Sequence, residues 1–154
     1  MYSNHNYEGT EYIDKGLVQD IRISTRPDYI SELILKILKG YNVSVIELGV
    51  QSMDDEVLLK AKRGHTSEDV VKASELINKY GFELGHQVMV GLPESTLEKE
   101  LETVRKSIEL KPKMVRIYPV YVLKNLYSSE SLYTSFSSRS FTVGKSGFDT
   151  PGVI

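Results

Sequence analysis

From residue 21 onward, short apolar runs of strand type take turns with amphipathic stretches of helix type, and this alternation constrains the fold more than any other feature. IRIS (residues 21–24) is rich in β-branched residues and leads into Thr25-Arg26-Pro27-Asp28, where the proline predicts a helix start. Ile30, Leu33, Ile34, Ile37 and Leu38 then share one helical face, closed by Lys39-Gly40. VSVIELGV (43–50) reads as a second strand, followed by a helix opening around residues 53–56 with Ser52 or Asp54 as its cap. Thr66-Ser67-Glu68-Asp69 opens another helix, with Val70, Ala73, Leu76 and Ile77 inward and Tyr80-Gly81 as its end. ELGHQVMV (83–90) is a third strand and GLPEST (91–96) its loop. The next helix is expected to turn Leu97, Leu101, Val104, Ile108 and Leu110 inward, and MVRIYPVYV (114–122) supplies a fourth strand. Parallel strands cannot be joined by a hairpin and need crossover helices, with strand starts roughly 20–40 residues apart. The expected fold is therefore α/β, with about four parallel strands and outer helices.

Composition narrows the function classes. The 154 residues suit one domain, and 40% apolar content excludes wholesale disorder. A net charge of −2 supplies no field that would draw the chain onto a phosphate backbone. The chain has no cysteine, hence no disulfide framework and no thiolate of its own for zinc or an iron–sulfur cluster. No apolar run reaches the length of a membrane span, and MYSNHNYEGTEY has neither the basic start nor the apolar segment of a signal peptide. No membrane partner is expected, and a cytoplasmic location is the default reading. Residues 127–154 are Ser-rich and lack a sustained period, so they are expected to form a poorly ordered or non-native tail. Gly144-Lys145-Ser146 has no upstream glycine at the phosphate-loop position and carries no nucleotide signal.

In parallel α/β folds chemistry gathers where strands run into helices, at their C-terminal ends. That edge carries Ser24, Thr25 and Arg26, then Gln51 and Ser52, then residues 91–94. Glu47, His86, Gln87 and Arg116 sit inside apolar strands, where an unpaired polar group costs a few kcal/mol, so their partners are one another or a ligand. A metal-free enzyme built on Glu47, His86 and Arg116 is one reading of that set. His5 and His65 read as surface residues, and Asp54-Asp55-Glu56 as the acidic start of a helix.

IRISTRPDYI, IELGVQSMDDEVLLKAKRGHT and GHQVMVGLPEST, in this order, resemble the middle of radical S-adenosylmethionine enzymes. The resemblance is to the group similar to the Elongator catalytic subunit, with oxygen-independent coproporphyrinogen oxidase among its relatives. It implies a partial TIM-like barrel over residues 1–126, from the third to the sixth βα unit of a (β/α)6 fold. In that family three cysteines after the first strand hold a 4Fe–4S cluster, and reductive cleavage of S-adenosylmethionine yields a 5′-deoxyadenosyl radical. The matching part here begins after the cluster loop, so the chain is expected to keep part of the S-adenosylmethionine pocket and to be inactive alone.

By resemblance, Ser24 meets the methionine amino group, and Gln51 faces the methionine end or ribose. Arg63 pairs with the cofactor carboxylate, a task suited to its two-pronged donor set. Gln87 stands where relatives contact the ribose hydroxyls, often with a carboxylate. Met89 to Gly91 resemble the strand whose backbone meets the adenine, with Glu94 at the acidic end of that pattern. No chemical role falls to Arg26. The family adds tRNA as a partner of the parent group. The first strand is left with an open edge, which predicts self-association or a protein partner there. A non-catalytic interaction module using that edge is the alternative reading.

Overall fold

The structure, a computed structural model, describes residues 8–121, all within one unit, Met1–Tyr121. It contains a four-stranded sheet of β1 (Ile21–Thr25), β2 (Val43–Gln51), β3 (Glu83–Val90) and β4 (Met114–Pro119), in the spatial order β1-β2-β3-β4. Every pairing is parallel. Strand order follows chain order without reversal, so the connections wind in one sense, as in a barrel wall, and their helices gather on one face. These helices are α2 (Glu32–Gly40), α3 (Asp55–Lys60), α4 (Ser67–Lys79) and α5 (Leu97–Glu109); α1 (Glu8–Asp14) precedes the sheet and was not anticipated.

Caps decide where each helix begins. Ser31, Asp54, Thr66 and Thr96 each accept a bond from a first-turn backbone N–H. Thr66 and Asp69 satisfy one another's backbone in a full capping box. Pro27 opens a separate 3-10 turn, Pro27–Tyr29, instead of the helix, because Ser31 supplies the real cap two residues beyond it.

Register assigns side chains to the two faces of the sheet. Ile46, Leu48, Leu84 and Val88 point to the helices and form a core with Leu35, Val70, Ala73 and Ile77. Each fully buried Val, Leu or Ile among them contributes about 1.5–3 kcal/mol by leaving water. Across β1 to β4, Ser24 pairs with Glu47, Glu47 with Gly85, and Gln87 with Arg116, which places these residues on the opposite face.

Two helical faces differ from the expectation. On α2 only Leu35 is fully buried, while Leu33, Ile34 and Ile37 are 68%, 39% and 46% exposed. On α5 the side facing the sheet carries Thr103 and Ser107, whereas Leu97, Leu101 and Ile108 are exposed. Both helices flank the two edges of the sheet, and their apolar stripes point away from the neighbours present among the described residues. No helix of the described residues is long and apolar enough to cross a membrane. The Ser-rich segment after residue 126 and His5 lie outside the described residues.

Candidate functional site

The face away from the helices holds a polar network. Gln87 donates both amide hydrogens, to Glu47 Oε2 at 2.6 Å and to Ser24 Oγ at 3.2 Å. The other carboxylate oxygen of Glu47 lies 3.0 Å from Arg22 Nη1 and 3.2 Å from Arg116 Nη2. Those ion pairs lack the alignment of hydrogen bonds, which leaves Glu47 Oε1 without a directional partner. Gly85 makes room for this carboxylate, since a Cβ there would fall 2.8 Å from Glu47 Cγ. Two guanidinium groups thus face one buried carboxylate, and each arginine side chain keeps about two fifths of its surface exposed (39% and 43%). The Arg116 guanidinium is raised above its ordinary value, first by Tyr118 and then by the charge of Glu47. Arg22 was absent from the sequence-based set.

At the C-terminal rim a second group converges. The β2–β3 register slips between Leu48 and Gln51, and Gln51 takes a left-handed conformation (φ 64°). This bulge folds its amide back over Gly49, where a Cβ would lie 2.8 Å from Gln51 Nε2, 3.6 Å from the Thr25 carbonyl and 3.8 Å from Arg63 Nη2. Gln51, Thr25 and Arg63 therefore meet over a glycine. Arg63 Nε is buried with no hydrogen-bond partner among the described residues. Burial, then the charge of Arg26, lowers the Arg63 guanidinium from its ordinary value. Beside it Arg26 is gripped by Asp28, at 2.9 and 2.7 Å, and donates to the Gly64 carbonyl at 3.1 Å.

The loop after β3 is built by a residue that sequence reasoning passed over. Glu100, from the first turn of α5, accepts from the Gly91 N–H at 2.8 Å and the Ser95 hydroxyl at 3.0 Å. Glu94, the residue singled out there, is exposed and takes φ 59°. Met89 lies on the same sheet face as Gln87, and Gly91 takes φ 82° at the strand's exit. The structure thus brings Ser24 together with Gln87 and Gln51 together with Arg63, while Glu94 joins neither pair.

His86 belongs elsewhere. It is fully buried on the helix side of β3, between Ser74 of α4 and Ser107 of α5. Ser74 spends its hydroxyl hydrogen on the Val70 carbonyl at 2.7 Å, so it must accept from His86 Nε2–H; Nδ1 then accepts from Ser107 at 2.8 Å. Burial lowers the His86 pKa to about 4, holding the ring neutral. A catalytic set of Glu47, His86 and Arg116 is therefore overturned, because the sheet stands between the histidine and the other two. His65 is corrected as well: it is 6% exposed, with Nε2 against the Val50 carbonyl at 3.2 Å. That carbonyl also accepts from the Ser52 N–H at 2.8 Å, and the imidazole supplies it with a second donor. Among the described residues, no group of three or more His, Cys, Asp or Glu is placed to hold a metal ion.

The family model for the Radical SAM superfamily matches residues 2–106. The chain is 37% identical over 105 residues to the tRNA uridine(34) acetyltransferase of Methanocaldococcus jannaschii, covering 66% of this chain and 19% of the relative. It is 32% identical over 127 residues to Elongator complex protein 3 of Homo sapiens, covering 79% of this chain and 23% of that protein. Among solved structures, the archaeal Methanocaldococcus infernus Elp3 with an N-terminal deletion superposes with a TM-score of 0.67 at 33% identity, over 77% of this chain and 28% of that one. Coproporphyrinogen III oxidase (HemN) of Escherichia coli, at 20% identity and a TM-score of 0.66, over 80% of this chain and 31% of that one, shares the fold. The chain spans less than a third of each of these proteins (31% of HemN included). A parallel barrel wall, a polar C-terminal rim and a family match over most of the described residues agree: the chain belongs to the radical SAM superfamily.

Proposed function

We propose that the described βα units form one wall of an S-adenosylmethionine pocket, with Arg63 as the receptor of the methionine carboxylate. The observation that carries this reading is the buried, unpartnered Nε of Arg63 at the strand ends, with no acidic side chain paired to it among the described residues. A planar guanidinium in that state favours a carboxylate, which satisfies its fork and offsets its charge together. Gln51, folded over Gly49, faces the same space and would meet the methionine end or the ribose. Ser24 Oγ keeps a second lone pair after accepting from Gln87, and there it would accept from the ammonium group. Gln87 gives both amide hydrogens to Ser24 and Glu47, so its carbonyl oxygen remains for a ribose hydroxyl. The backbone of Met89 to Gly91 would meet the adenine, on a loop set by Glu100. Glu94 enters as an exposed flank of that loop.

Bound beside a reduced 4Fe–4S cluster, S-adenosylmethionine supplies a carbon radical. The residues present fit the nucleoside and amino-acid parts of that ligand but do not fit the cluster, since no cysteine occurs among the 154 residues. Thiolates from outside this sequence would have to supply it, and alone the chain is catalytically silent. In a longer context the reading is an Elongator-like enzyme acting on tRNA. Titration with S-adenosylmethionine followed by amide chemical shifts tests the pocket: signals of Gln51, Gly64, Gln87 and Gly91 should move, while those of α2 stay fixed. Shifts confined to α2 or to the polar face below Gln87 would remove the assignment.

A second reading, an interaction module, is favoured by the apolar stripe of Leu33, Ile34 and Ile37 beside the open edge of β1. Sedimentation at micromolar concentration distinguishes it: a self-associating or partner-bound chain supports it, and a stable monomer counts against it.

A further inference from the structure

We infer that Arg26 is the positioning residue for Arg63: its guanidinium latches the exit of β1 to the 62–65 turn and so presents the Arg63 fork to a carboxylate. This rests on the pocket reading above and goes beyond it, since Arg26 itself is kept from the ligand by the partners it already has.

The turn needs holding. Lys62 and Gly64 both take left-handed conformations, at φ 51° and φ 74°, with Arg63 between them. A non-glycine residue in that region carries a cost, and such a turn persists when its surroundings fix it. Local support comes from Lys62 N–H to the Leu59 carbonyl and Arg63 N–H to the Leu58 carbonyl, each 3.0 Å. Long-range support comes at one end from His65, whose Nε2 lies 3.2 Å from the Val50 carbonyl, and at Gly64 from Arg26. Asp28 takes its Nε and Nη2 at 2.9 and 2.7 Å, which fixes the plane of the guanidinium. Nη2 also donates to the Gly64 carbonyl at 3.1 Å, across 38 residues of chain. The guanidinium lies 5.2 Å from the centre of the Tyr29 ring, which shields one side.

Gly64 is part of the device. A Cβ there would stand 2.8 Å from Arg26 Nη2, so a side chain at this position would push the latch away. The arrangement also brings two cations close together while Asp28 offsets only one of them, leaving a positive charge at the rim for an anionic group to meet.

Hydrogen exchange on the whole chain tests the latch, with Arg26→Gln and Arg26→Lys compared to the unmodified protein. The amides of Lys62 and Arg63 should exchange on the order of tenfold faster in Arg26→Gln, the loss expected for one charge-assisted bond. The Lys113 amide, bonded to the Leu84 carbonyl at 2.7 Å, should keep its rate. Arg26→Lys keeps the charge and loses the fork, so it should be as fast as the glutamine variant. Unchanged rates at Lys62 and Arg63, protection retained by lysine, or an equal rise at Lys113 would each overturn the latch. A second arm reads its consequence: Arg26→Gln should weaken S-adenosylmethionine and spare 5′-methylthioadenosine, which has no carboxylate. Equal weakening of both ligands overturns the positioning role. If the unmodified chain binds neither, the pocket reading fails, and the exchange rates still decide whether Arg26 holds the turn.

Discussion

Acid should unfold this domain through His86 before it reaches the carboxylates. The ring is fully buried between two helices, its pKa is lowered to about 4 against an ordinary 6.5, and both nitrogens are committed to serine hydroxyls in one tautomer. A histidine whose folded pKa is depressed takes up its proton more readily when unfolded. Its contribution is therefore complete above pH 6.5, is lost as pH falls towards 4, and changes no further below that. The gap of about 2.5 units corresponds to about 3 kcal/mol, with a steepest slope near 1.4 kcal/mol per pH unit. That is a large part of the roughly 5–15 kcal/mol that holds a typical domain. The Asp54 carboxyl would be raised by burial, but the Val57 N–H and Lys99 outweigh this and lower it; the Thr66 backbone and hydroxyl lower Asp69. Those two carboxylates lose their contributions below their ordinary 3.8, outside the histidine window. Urea unfolding between pH 7.5 and 4 should show the loss, and His86→Gln, neutral throughout, should remove most of it. Parallel losses in both proteins would refute the assignment.

Gly85→Ala should destabilise by about 1–3 kcal/mol in urea melts, because its Cβ would fall 2.8 Å from Glu47 Cγ and 3.3 Å from Met114 Cγ. Thr103→Val should cost about 1–3 kcal/mol, since the Thr103 hydroxyl meets both the Ser52 hydroxyl at 3.3 Å and the Met53 N–H at 3.0 Å. Thermal melts that match the parent would show that this tie between β2 and α5 is dispensable. Ile37→Glu, on the exposed stripe of α2, should leave the melting temperature within a few degrees and reduce self-association in sedimentation runs. A large drop in melting temperature would place Ile37 in the core instead.

Where a residue's neighbours along the chain decide its structure, it was readable in advance. The bounds of β3, the helix start at Thr66 and the parallel pairing of the strands all follow from local pattern and connection length. What escaped depends on partners far away in sequence. Periodicity identified apolar stripes on α2 and α5 but not what they face, and on α5 the sheet-facing side is polar because His86 and the end of β2 need hydroxyls. Arg22 escaped notice because its partner, Glu47 at 3.0 Å, lies on the neighbouring strand. His65 reads as an exposed loop residue until the β2 bulge offers it the Val50 carbonyl. Ser24 and Gln87 were each singled out for a ligand, and the fold also bonds them to one another.

In the proposed pocket, the β2 bulge and the 62–65 turn present to an amino-acid carboxylate a guanidinium, that of Arg63, whose Nε has no partner among the described residues. Calorimetry with S-adenosylmethionine and 5′-methylthioadenosine, on the unmodified chain and Arg63→Ala, addresses it most directly. The unmodified chain should prefer S-adenosylmethionine by about tenfold or more, and the alanine variant should lose the preference while still binding methylthioadenosine. A preference that survives the loss of Arg63, or equal affinity for the two ligands in the unmodified chain, would contradict it.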